Sequence, residues 1–136
     1  MPIDPTKPLD GVNAVKADLR VNLQAAKDGI ETADSVLAGG STTISATTFG
    51  NHTFARMRCT SGAAVTVTLG SNVLAGCALE LVQYGTGLVT AIAGAGATLV
   101  KPAAASTSTA AQYDAMIFEV DTNTGSNAAW RLVTRS

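Results

Sequence analysis

The side chains that could do chemistry in this chain are few and widely spaced. His52 is the one histidine of the sequence, so a histidine general base would have to be this residue. It stands beside Asn51 in a predicted turn. No Gly-x-Ser-x-Gly elbow occurs, and no Cys-x-x-Cys pair or second histidine lies at metal-ligand spacing. We expect His52 to be a polar loop residue that takes part in neither nucleophilic catalysis nor metal binding.

Acidic side chains could act in pairs, as the hydrolysis of glycosidic bonds requires. Two of them, Glu80 and Glu119, alternate with apolar neighbours, which is typical of the solvent-facing side of a strand. Two further candidates, Asp114 and Asp121, lie near the ends of a predicted strand. We expect these carboxylates to face solvent, and we do not expect an enzyme.

Two glycine motifs favour turns over a nucleotide site. Gly85-Thr86-Gly87 and Gly94-Ala95-Gly96 match neither the phosphate loop GxxxxGK[ST] nor the dinucleotide fingerprint, and no helical pattern follows them. Both motifs predict hairpin turns, and we expect no bound cofactor.

Two cysteines, Cys59 and Cys77, fall in apolar stretches of the chain. Cysteine is among the most buried residue types even when unpaired, so we expect free thiols buried in strands. A disulfide stays open as an alternative, because the sequence does not place the two Cα atoms relative to each other.

The composition indicates a single, weakly charged domain. The chain has 136 residues, of which 46% are hydrophobic, 14% charged and only 4% aromatic, and its net charge is −1. So few charges favour an oligomer or a larger assembly. No basic stripe is present, so nucleic acid is not an expected partner. The chain starts without a secretory pattern, and its longest apolar run, Leu88–Val100, is too short for a membrane span, so we expect no membrane contact.

Residues 1–40 predict an anchor made of an extended arm, a helix and a glycine hinge. Three prolines lie in residues 1–12, and proline favours extended backbone. From Ala14 to Thr32 apolar residues recur at spacings of three or four, which predicts one amphipathic helix before the hinge at Gly39-Gly40. Its apolar stripe, which we expect to bind a partner, consists of Val15, Leu19, Leu23, Ala26 and Ile30.

Residues 41–136 predict a β-domain, because the apolar period changes to two from Thr42 onward. Turn residues such as glycine, asparagine and serine separate short strands. The predicted strands are Thr42–Thr47, Thr53–Thr60, Ala64–Leu69, Ala78–Tyr84, Leu88–Ala93, Ala97–Val100, Tyr113–Asp121 and Ala129–Thr134. This pattern predicts a mainly β fold, either a compact antiparallel β-sandwich or a small β-barrel, without a repeat of solenoid length.

Three aromatic residues, Tyr84, Tyr113 and Trp130, are candidates for anchors of the core or of an interface. With so few aromatic side chains in the chain, each is expected to bury a large area. An alternative use is a platform on which Trp130 and Tyr84 stack against a sugar.

Two segments resemble modules of tailed-bacteriophage virion proteins. Residues 15–27, VKADLRVNLQAAK, are similar to the short N-terminal helix, of the form K-A-x-L-R-x-N-L-x-A-A-K, of some phage head and tail appendage proteins. The strand at residues 65–69, VTVTL, is followed by the glycine motifs, Val89-Thr90 and a closing Trp130. This second series is similar to a small β-domain common in phage fibres and capsid appendages.

The resemblance implies a non-catalytic structural protein of the virion, assembled in the host cytoplasm. Its most specific form is a capsid decoration (cement) or head-fibre protein that binds the outer capsid and bridges or stabilises capsid subunits. The implied partners are the major capsid protein or other virion proteins, and the implied oligomer is a homotrimer. A tail-fibre base or neck adaptor is the alternative within the same class, and a carbohydrate-binding module is the alternative from another class.

Overall fold

The computed structural model of this chain describes residues 32–135. The predicted arm, the stripe residues and all of the predicted helix Ala14–Thr32 except Thr32 lie outside the described residues. The described part is built from short strands and one helical turn, so the prediction of a mainly β fold is confirmed.

The strands follow one another at short intervals along the chain. They are β1 (Ala33–Leu37), β2 (Ser41–Ile44), β3 (Phe54–Cys59), β4 (Val65–Leu69), β5 (Ala78–Gln83), β6 (Val89–Ala93), β7 (Thr98–Val100), β8 (Ala115–Asn123) and β9 (Ala128–Arg135). The helical turn α1 (Ala46–Phe49) lies between β2 and β3. Period-two patterning therefore locates most strands, because inward and outward side chains alternate along each of them.

The strands form two sheets, with the orders β1-β3-β5-β8-β9-β7 and β2-β4-β6. Pairing is parallel between β1 and β3, β3 and β5, β2 and β4, β4 and β6, and β7 and β9. Among the strands of residues 32–135, only β8 pairs in antiparallel fashion, with β5 and β9. The prediction of an antiparallel fold is therefore wrong for most of the body, because successive strands enter different sheets instead of folding back on each other.

The chain winds as a short parallel β-solenoid. It passes from one sheet to the other in each coil, as β1 then β2, β3 then β4, and β5 then β6. The second and third coils stack with a constant offset of 24 residues, from Phe54 to Ala78 and from Val65 to Val89. The expectation of no solenoid-length repeat is therefore wrong. Stacked coils share the alternation of inward and outward positions but not the same residues, so the repeat is not visible as sequence similarity.

The last two strands end the solenoid. A continued coil would place β7 beside β5, but the hairpin of β8 and β9 is inserted between them. This hairpin turns at residues 124–127, where Gly125 and Ser126 adopt the positive φ angles that tight hairpin turns require. The solenoid therefore stops after its third coil, because β5 already has both of its sheet neighbours.

One hydrophobic core lies between the sheets and takes side chains from both. Its largest fully buried members include Trp130 and Phe118 from the hairpin and Leu79 and Leu81 from β5. The indole Nε1–H of Trp130 donates a hydrogen bond to Gly70 O at 2.9 Å, so the one polar atom of the ring is satisfied inside the core.

The predicted hinge and the predicted first strand are corrected by this topology. Gly39-Gly40 is the corner between β1 and β2 within the first coil, so the β-body begins before the predicted boundary at residue 40. The predicted strand Thr42–Thr47 ends at Ile44, and α1 follows. The Thr48 hydroxyl accepts the Ser45 N–H at 3.0 Å, which favours a helical turn there.

The glycines of the corner 84–88 are required by close stacking, not by a hairpin. This corner joins β5 to β6 in different sheets, so the predicted hairpin at Gly85-Thr86-Gly87 is wrong. Gly87 N–H donates to Ser61 O of the coil below at 3.0 Å. A Cβ atom on Gly87 would overlap the backbone of Ala63 in that coil.

We predict that Gly87→Ala lowers the free energy of unfolding by about 1–3 kcal/mol, because its methyl group forces two stacked corners apart. Gly62→Ala in the neighbouring corner is the matched control, since its added Cβ would find its nearest atom, Thr86 Oγ1, at 3.7 Å. We expect a change within about 0.5 kcal/mol for this control. Urea unfolding measures both variants, and equal losses would contradict the stacking argument.

Candidate interaction surfaces

The candidate catalytic carboxylates bind arginines on one face of the six-stranded sheet. Glu80 accepts a hydrogen bond from Arg56, and this bond raises the pKa of the arginine. Arg131 binds Glu119 at 3.3 Å and Asp121 at 3.0 Å. These three acids are therefore engaged in ion pairs, and Glu119 and Asp121 share one arginine.

Asp114, the remaining acidic candidate, organises a loop. Its Oδ2 atom accepts the backbone N–H groups of Ala110 at 2.7 Å and of Ala111 at 3.2 Å. The carboxylate thereby closes the turn that leads into β8.

His52 and Cys77 line one cavity of about 250 Å³ near α1, together with Phe49, Val73 and Leu74. The His52 Nδ1 atom is buried without a hydrogen-bond partner among the described residues. Both cysteines are buried and free. Within residues 32–135 no group of three or more histidine, cysteine, aspartate or glutamate side chains could hold a metal ion.

The three candidate aromatic residues have different environments. Trp130 is fully buried in the core, whereas Tyr84 and Tyr113 are exposed by 43% and 67%. The two tyrosine rings form an edge-to-face pair with centroids 5.9 Å apart. The predicted sugar platform of Trp130 with Tyr84 is therefore wrong, because the indole ring points into the core and has no exposed face.

The tyrosine pair rests on a framework of hydrogen bonds at the ends of β5 and β8. Gln83 N donates to Asp114 O at 2.9 Å, and the Gln112 side chain donates to Tyr84 O at 2.6 Å. Behind them the buried Gln83 amide accepts a bond from the Thr109 hydroxyl. Tyr113 itself has a φ of 72°, which is uncommon for a bulky residue. The fold therefore holds this ring in the solvent in spite of an unfavourable backbone conformation.

The solvent side of the six-stranded sheet, here called the outer face, presents side chains in rows across the strands. One row runs through Val36, Arg58, Val82 and Ala115, which are register partners on β1, β3, β5 and β8. A second, parallel row is formed by Asp34, Arg56, Glu80, Ile117 and Thr134. Tyr84 follows the buried Gln83, so it extends the face beyond the end of β5. The outer face thus combines apolar, aromatic and ion-paired positions.

The sheet edges differ in their protection. The free side of β6 is covered by backbone bonds from Ala91 N to Thr107 O at 2.8 Å and from Thr109 N to Val89 O at 2.9 Å. Strand β7 has only three residues and leads into Lys101-Pro102, and both features protect an edge. Among the described residues β1 and β2 have one strand neighbour each, and neither contains lysine or proline. Within residues 32–135 the first coil is therefore the end of the solenoid that no other segment covers.

Comparisons with protein-family models, with curated proteins and with solved structures find no match for this chain. The helix stripe predicted to bind a partner lies outside the described residues. In residues 32–135 no helix is long and apolar enough to cross a membrane.

Burial raises the pKa of both thiols and links Cys59 to stability. Burial raises the pKa of Cys59 from its ordinary 9.0 to about 11. The folded state therefore holds this proton more tightly than the unfolded state does. The associated stabilisation is complete below pH 9 and is lost as the pH rises through about 11.

We predict that the unfolding free energy of the natural chain falls more steeply between pH 9 and 11 than that of Cys59→Ala, by up to about 2 kcal/mol. The variant loses some packing at every pH, so the slope and not the absolute stability is compared. Urea unfolding in a pH series makes the measurement. Parallel curves would mean that the thiol does not titrate with unfolding.

Proposed function

We propose that this chain is a non-catalytic structural protein of a tailed-phage virion, and in particular a capsid decoration or head-fibre protein. It binds the outer capsid and bridges or stabilises capsid subunits. The resemblance of residues 15–27 and of the VTVTL-to-Trp130 series to phage appendage modules supports this assignment. The engagement of the described acidic candidates in ion pairs and a loop turn is consistent with a role in packing.

The observation that carries the proposal is the difference between the two ends of the solenoid. The third coil is closed by the hairpin and by residues 107–109, whereas among the described residues no segment pairs with the outer edges of β1 and β2, which contain neither lysine nor proline. Unprotected edges need a cover, because unpaired backbone groups promote aggregation. The described part of the chain begins in this coil, at residue 32, directly after the segment proposed as the anchor.

In this proposal residues 1–40 contain the anchor, and the two sheets serve as a compact sandwich-like body. The stripe of Val15, Leu19, Leu23, Ala26 and Ile30 packs on the capsid or on sister subunits of a homotrimer. Individual contacts can be weak, because many symmetric copies act together on one particle. The major capsid protein is the main partner, and the virion, assembled in the host cytoplasm, is the location.

Copy number distinguishes this role from that of a tail-fibre base or neck adaptor. We predict a copy number comparable with that of the major capsid protein in purified virions of the encoding phage, because decoration follows the icosahedral lattice. Quantitative mass spectrometry makes the measurement, with the major capsid protein and a tail protein as references. A few copies per particle would favour the adaptor, and absence from particles would overturn the virion assignment.

We predict that the double variant Leu19→Asp, Leu23→Asp lowers incorporation into particles at least about tenfold, because two charges interrupt the apolar stripe. The matched control is Ala17→Asp, Gln24→Asp, which adds the same charge on the opposite face of the predicted helix. Buried Trp130 reports by fluorescence that both variants keep a folded β-body. Normal incorporation of the stripe variant would show that the stripe is not the anchor.

A further inference from the structure

The described charged side chains of the outer face already bind each other and do not require a charged partner. Its described arginines and acids form ion pairs within the face, where Arg58 binds Asp34 at 3.3 Å and Arg131 binds two acids. Arg56 binds Glu80 in the same way. A strongly basic or acidic partner would therefore have to break existing pairs, whereas a neutral surface would not.

The same face exposes apolar side chains that the fold does not cover. Val36 is 57% exposed, and Val82 and Ile117 are half-buried between the ion pairs. Tyr84 and Tyr113 stand at the end of the face in a fixed edge-to-face arrangement. Residues held in place before contact lose little entropy on binding, and tyrosine supplies a large contact area.

The face carries two residue types that protein interfaces favour, tyrosine and arginine. Tyrosine and arginine are enriched in interfaces, and lysine is depleted. The face carries Arg56, Arg58 and Arg131, and no lysine occurs among its described residues. The exposed guanidinium group of Arg58 is already bound to Asp34 at 3.3 Å.

We infer that the outer face is the surface through which copies of this chain contact each other, with Tyr84 and Tyr113 as its aromatic anchors. A second copy presents the same aromatic and apolar surface with its charges already paired, which is what this face can accept without breaking its ion pairs. In a trimer with a three-fold axis, one side of each outer face contacts the first neighbour and the other side contacts the second neighbour. The outer face therefore supplies both of the surfaces that meet in each contact.

This inference rests on the proposed function for its biological setting, since it names the surface that joins copies on a particle. Its physical basis is independent of the particle. Self-association is measured on the purified full chain, so failure of the virion assignment and failure of this inference have different readouts.

Tyr113→Asn separates an interface role from a structural one. Asparagine tolerates the positive φ of this position, so we expect the variant to keep the thermal stability of the isolated chain. We expect its association constant, measured by sedimentation velocity, to fall at least tenfold. Leu74→Ser is the matched control, because Leu74 is 72% exposed but lies in the loop before β5, away from the outer face.

Hydroxyl-radical footprinting of the natural chain locates the contact directly. With rising protein concentration we expect Tyr84, Tyr113 and Val36 to become protected, while Leu74 stays reactive. A chain that remains monomeric, or an oligomer in which Tyr113 reacts as Leu74 does, would overturn the inference. Equal association of Tyr113→Asn and the natural chain would do the same. If the chain stays monomeric and the tyrosines are protected only when oligosaccharides are added, the inference is wrong and the outer face is a sugar-binding site.

Discussion

The stacking of each coil on the one before it is the constraint on which the rest of the structure depends. At the corner after β5, the N–H groups of Tyr84 and Gly85 both donate to Cys59 O, at 2.8 and 2.9 Å. Such bonds require the backbones of successive corners to approach closely, and side chains at Gly85 or Gly87 would prevent the approach. The corners therefore set the strand register, and the register sets which side chains share a row on the outer face.

The C-terminal hairpin converts this open-ended stack into a finite body. It takes the place beside β5 and contributes Trp130 and Phe118 to the core. The segment that leads to it covers the free side of β6 and then forms the turn that carries Tyr113. Closing one end of the solenoid and presenting the tyrosine pair are thus two results of the same chain path.

The outer face illustrates how a surface without catalytic geometry can still be specific. Exposed ion pairs contribute little to stability, since solvent screens them and ordering the side chains costs entropy. They nevertheless leave the face close to neutral and keep its apolar residues in defined rows. This arrangement favours a neighbour of similar character, as the inferred contact between copies requires.

The sequence by itself determined the mainly β character, most strand positions and the hairpin turn at residues 124–127. These features are local, because alternation of side chains and the φ preferences of turn residues act over a few positions. Tertiary structure alone decided that most strands pair in parallel, since pairing depends on contacts summed over distant segments. It also decided the different roles of Trp130 and Tyr113, which the sequence presented as equivalent aromatic candidates. One ring follows the register of β9 into the core. The other is turned to solvent by a loop closed at Asp114, a contact that no local pattern indicates.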